Sequence, residues 1–164
     1  MRNLLVGLVA GAVLGALVGL LGGLLAVATI FPQTAATSVA VSGSPGELIG
    51  RGSFQHVEPT DPLHYGMGGV LVYTDRVRLD EEFEVGPGPK YRVYLAPDED
   101  ITPNTRVEES LFIDLGALAA FSGSQDYPIP RGVDPRLYGS VVIWSEHFNR
   151  LIAPARIEPL ATAH

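Results

Sequence analysis

Four consecutive apolar residues, Val141, Val142, Ile143 and Trp144, constrain this chain more than any other feature of it. A strand sends alternate side chains to opposite faces, so a run that is apolar at every position has to be covered on both sides. The run is therefore expected to be the central strand of a sheet. Other segments alternate instead. Val77, Leu79, Phe83 and Val85 face one way against Arg76, Arg78, Asp80, Glu82 and Glu84, with Glu81 as the one break, as a half-buried strand region interrupted near that residue would read. Gly86-Pro87-Gly88-Pro89 then forces a turn, since proline fixes φ and glycine admits positive φ. Tyr91, Val93 and Leu95 form the next strand, residues 98–109 read as a long polar loop, and Leu111, Ile113 and Leu115 resume the alternation. Residues 151–157 make a last strand, which Pro154 assigns to an edge or a bulge. Short strands, Gly/Pro turns and no soluble amphipathic helix predict an all-β domain, an antiparallel β-sandwich or flattened barrel.

Ahead of it, residues 4–31 carry no charged side chain. As a helix this run reaches roughly 42 Å, enough to cross a hydrocarbon core of about 30 Å. It exceeds the apolar region of a secretory signal, although Ala26-Val27-Ala28 would serve as a small-x-small cleavage site. One transmembrane signal-anchor helix over residues 1–31 is expected. Arg2 and the terminal amine are its flanking positive charges and the next cation is Arg51, so the N-terminus is expected in the cytoplasm and the rest outside the plasma (inner) membrane. Gly7, Gly11, Gly15, Gly19 and Gly23 recur every fourth residue. Such a stripe lets two helix backbones approach closely in lipid and would support a homo-oligomer, while the high glycine content of membrane helices explains it equally well. Residues 32–46 are uncharged and rich in small residues, a flexible tether with a root-mean-square reach of roughly 20 Å. The β domain is expected over 47–158 and a tail over 159–164.

Composition removes several function classes. The formal net charge is -7 and Lys90 is the single lysine, which disfavours a nucleic-acid partner. There is no cysteine, hence no disulfide, thiolate metal site or thiol catalysis. Ser145 and His147 stand two residues apart, about 6.6 Å along a strand, too far for a nucleophile and its base, and no Gly-x-Ser-x-Gly elbow surrounds Ser145. His56, His64 and His147 form no local ligand pair and read as surface or loop residues, though distant ligands can converge in a fold. Asp98-Glu99-Asp100 and Glu108-Glu109 lack the spacing of a calcium loop and read as solvated acidic turns. Gly66-Met67-Gly68-Gly69 has no helix after it to hold an anion, and reads as a turn or bulge. No catalytic residue and no metal ligand is assigned, and the cofactor is unspecified.

The stretch around the central strand carries a further signal. Gly123, Gln125, Tyr127 and Pro130, then Tyr138, Ser140, Val141, Ile143 and Trp144, with Phe148 beyond, resemble the core signature of the DM-thirteen domain family. Weaker matches extend this from Gly50 to Ile157: Gly52-Ser53-Phe54, Gly68-Gly69-Val70, Gly88-Pro89 and Val93-Tyr94-Leu95. The resemblance implies a role in electron transfer through a cysteine after the tryptophan. At that position this chain has Ser145. Two functions follow: a non-catalytic binding or structural module at the membrane surface, or, as the alternative, an accessory of an extracytoplasmic redox system. Ser145 shares strand parity with Val141 and Ile143, so it is expected to be buried and hydrogen-bonded to a backbone carbonyl or a neighbouring side chain.

Overall fold

A computed structural model describes residues 43–160 other than 59, 62 and 106, together with Gly15, Ala16 and Gly19, which are helical. The chain divides into units 1–33 and 34–164. The expected anchor, the glycine stripe as a whole, the tether up to residue 42 and residues 161–164 lie outside the described residues. Among those described, no helix is long and apolar enough to cross a membrane.

From residue 48 the chain is built of antiparallel strands: β1 (Leu48–Ser53), β2 (Gly66–Met67), β3 (Gly69–Tyr73), β4 (Arg76–Leu79), β5 (Glu84–Val85), β6 (Tyr91–Ala96), β7 (Ile113–Ala117), β8 (Gln125–Pro128), β9 (Ser140–Ser145), β10 (Arg150–Arg156) and β11 (Glu158–Pro159). They form a five-stranded sheet in the order β11-β1-β3-β4-β8, a four-stranded sheet in the order β10-β9-β6-β7, and a small pair of β2 with β5. The only helical turns among residues 43–160 that are described are 3-10, at Val107–Glu109 and Pro135–Leu137. The class is all-β, with two sandwich-like sheets sharing a core. Val70, Val72, Val77 and Leu79 of one sheet pack with Val93, Leu95, Val141 and Ile143 of the other.

β9 lies between β10 and β6, so the doubly apolar run is an interior strand. Its second face is covered from an unexpected direction. Val142 and Trp144 join Tyr94, Leu151, Ile101 and Val107 in a separate apolar layer. Ile101 and Val107 belong to the segment read as a polar loop, which in fact folds back over the outer face of the sheet. Ser140 Oγ ties it there by donating to Asp98 O at 2.8 Å.

The strand region 76–85 does break near Glu81. Asp80 Oδ1 accepts the Glu82 N–H and Oδ2 the Gly69 N–H, a turn that ends β4 and redirects the chain into β5. Arg76 departs from the alternation, for it is only 2% exposed. Its guanidinium meets Asp75 at 2.8 Å and Asp126 at 3.9 Å, partners that make burial of the charge tolerable. β10 is an edge strand with a register shift between Leu151 and Ala153, beside Pro154, as the proline required. Beyond Ile157 the chain crosses to the other sheet as β11, which takes in Pro159 of the expected tail, and Leu160 N beyond it donates to Ile49 O.

Candidate functional site

The signature residues divide into two groups. Gln125 and Tyr127 share the inward face of β8 and are both buried. Gln125 Oε1 accepts from Ala119 N, Ala120 N and Tyr127 Oη at 3.2, 3.0 and 2.8 Å, while Nε2 donates to Ala120 O and Gly123 O at 2.9 and 3.3 Å. The Tyr127 hydroxyl also accepts the Ala119 N–H at 3.0 Å. Together the two side chains hold the 118–123 turn, and Gly123 admits its φ of +85°. Pro130 is exposed, Tyr138 is half-buried against the shared core and Trp144 fills the outer layer. These residues build the fold.

The second group gathers at the end of β9. Ser145 is fully buried, as expected, and its Oγ donates to Pro89 O at 3.2 Å while accepting the Phe148 N–H at 3.3 Å. It thus joins the turn before β6 to the β9–β10 hairpin and makes no bond to His147. Directly across the ladder from Ser145 is Tyr91. The Tyr91 hydroxyl is buried without a hydrogen-bond partner, and burial pushes its pKa up to about 12. Gly88 is required beside it, since a Cβ there would stand 2.1 Å from the hydroxyl oxygen.

A strap formed by residues 56–58, 60, 61 and 63–65 lies at the same end, where the His64 ring meets Phe148. Asp61 Oδ2 is 2.7 Å from His64 Nδ1, and Oδ1 accepts the Leu63 and His64 N–H groups at 3.0 and 3.2 Å. These contacts, the His64 imidazole foremost, bring the Asp61 pKa down to about 2. Arg150 of β10 donates to Glu58 at 2.7 Å and lies 3.8 Å from Asp61. Between the strap and β10 is a cavity of about 210 Å³ lined by Val57, Glu58, His64, Pro103, Arg150, Leu151 and Ile152.

None of Asp61, Glu58 and Arg150 was singled out in the sequence, and the fold brings them together with His64. The Asp61/His64 spacing was a visible local pair, but its partner Arg150 lies 92 residues from Glu58. Of the other histidines, His56 Nε2 bonds Asp61 O at 3.0 Å, and His147 is exposed with its ring against Phe148. Among the described residues no three His, Asp or Glu side chains gather where they could hold a metal ion. Glu99 and Asp100 pair with Arg156 rather than converging on a point. Gly68, at φ +92° between β2 and β3, is the expected turn.

A family model described as electron transfer DM13 matches residues 60–157. The chain belongs to this family. The match starts ten residues after Gly50, where the resemblance began, and ends at Ile157 as the resemblance did. The DM13 segment thus contains Ser145, Tyr91, Asp61, His64 and Arg150, and leaves out β1 and β11, which pair with each other. No curated protein and no solved structure matches the chain.

Proposed function

We propose that this DM13 chain is a membrane-anchored, extracytoplasmic binding module with no redox cycle at the position where the resemblance puts a cysteine. The observation that carries the reading is Ser145, fully buried with its hydroxyl committed to Pro89 and to Phe148. A hydroxyl does not cycle between thiol and disulfide, and here it serves as a structural clamp. The rest of the signature supports the core and the 118–123 turn, while the exposed polar chemistry lies in the strap and β10. Anchorage is supported by the uncharged residues 4–31 and by Arg2. A second reading, an accessory of an extracytoplasmic electron-transfer system, is favoured by the family description itself.

The test is a visible absorption spectrum, metal analysis and protein-film voltammetry of the full chain in detergent, alongside Ser145→Cys. The natural chain should be colourless and give no reversible wave. Ser145→Cys should keep the fold within about 1 kcal/mol, because sulfur tolerates both long contacts and behaves as a small apolar group. A chromophore or a reversible wave in the natural chain would establish the second reading instead.

A further inference from the structure

The cavity between the strap and β10 belongs to none of the signature residues, and its chemistry is specific. Its apolar lining residues are Val57, Pro103, Leu151 and Ile152, and its polar ones are Glu58, His64 and Arg150. At about 210 Å³ it is smaller than the roughly 300 to 1,000 Å³ of pockets for drug-sized ligands, so its occupant has few heavy atoms. We propose that this cavity binds a small apolar monocarboxylate, whose carboxylate takes the place of Glu58 on Arg150. The proposal rests on the reading of the domain as a binding module and names its ligand class.

Three observations support it. Arg150 already holds a carboxylate: its Nη2 donates to Glu58 at 2.7 Å, while the 3.8 Å from Nη1 to Asp61 is too long for a hydrogen bond. A planar guanidinium is suited to two parallel bonds with one carboxylate, and this one has donors to spare. The Glu58 and Arg150 side chains are 48% and 38% exposed, so theirs is the weak kind of ion pair that exchanges readily. His64, its Nδ1 engaged by Asp61, is the remaining polar residue of the lining and is held there by that bond. Charge then selects the ligand. With Glu58 and Asp61 both close to Arg150, a dianion meets repulsion, whereas a monoanion that displaces Glu58 leaves the charge on Arg150 compensated as before. The apolar walls call for a hydrocarbon body.

The probe is 3-methylbutanoate, titrated into the full chain in detergent and followed by backbone amide shifts, with 3-methylbutanamide, methylamine and inorganic phosphate as comparisons. Saturable shifts at Val57 and Ile152 are expected with the carboxylate and not with the other three. Glu58→Gln, at an exposed position where folding is not at stake, removes the internal competitor and should tighten binding by about threefold. Arg150→Lys keeps the charge but loses the fork and should weaken it by about tenfold. The proposal is overturned if the carboxylate gives no saturable shift at these residues, if the amide, amine or phosphate binds as well, or if Glu58→Gln binds no tighter than the natural chain. Such a failure leaves the voltammetry of the natural chain as it was, so the ligand class and the binding-module reading fall separately.

Discussion

Tyr91 and Tyr127 are buried to nearly the same degree and differ in one respect, the state of the hydroxyl. Tyr127 bonds to Gln125 and to the Ala119 N–H, whereas Tyr91 has no partner. A buried polar group left unpaired costs roughly 1 to 3 kcal/mol. Tyr91→Phe should therefore stabilise the domain by about 1 kcal/mol, and Tyr127→Phe should destabilise it by about the same amount. Denaturant unfolding at neutral pH measures both, and equal losses in the two variants would mean that the Tyr91 hydroxyl is in fact bonded. Burial pushes both phenols up to about 12. A tyrosine unfolds to an ordinary pKa near 10, so the unfolded state ionises first and stability falls as pH rises from about 10 to about 12. Each Phe variant should flatten that fall.

At the scale of the element, the strap depends on Asp61. Its folded pKa of about 2, depressed by His64 and the Leu63 N–H, lies below the ordinary carboxylate value. The stabilisation this brings is complete above the unfolded pKa of about 4 and is lost as pH falls through about 2. The thermal midpoint of the natural chain should thus exceed that of Asp61→Asn at pH 6, and the difference should shrink steadily between about pH 4 and pH 2. A difference that is constant across this range would remove Asp61 as the titrating group. The strands β4, β6, β7, β9 and β10 were legible in the sequence because each has a pattern that only one kind of covering satisfies. β5 was legible as the far side of the break near Glu81, whereas the two-residue strands β2 and β11 were not, since two residues carry no period. Arg76 takes the solvent-facing parity of its strand but is buried, because Asp75 beside it and Asp126, 50 residues on and in the neighbouring strand β8, compensate its charge. The outer cover of β9 was missed for a similar reason: Ile101 and Val107 are single apolar residues in a polar segment, and nothing local tells which face they close. The signature located Ser145 and its burial, but the cavity beside it needs the strap and β10 brought together, and that pairing is a product of the fold.

For the whole molecule, the described domain receives and releases the chain at one end. Gly46 N donates to Asp75 at 2.9 Å, Glu47 O accepts from Thr74 N, and Leu160 returns to Ile49 beside them. The cavity lies at the other end of β10 from β11. The proposed extracytoplasmic role depends on which side of the membrane the domain occupies. Arg2 and the terminal amine flank the apolar run on one side, while the next cation on the other is Arg51, and this positive-inside bias is the ground on which a cytoplasmic N-terminus is proposed. Protease accessibility tests this directly if the enzyme is chosen to fit the sequence. Residues 32–46 hold no Lys or Arg for trypsin, but Ala35, Ala36, Val39, Ala40 and Val41 suit an elastase, and the paired strands beyond Leu48 resist cleavage better than an uncharged tether does. Elastase added to intact wall-stripped cells should release a soluble fragment that begins within the tether and keeps the folded domain. If that fragment appears only after the cells are lysed, the domain is cytoplasmic and the proposed extracytoplasmic role falls with it.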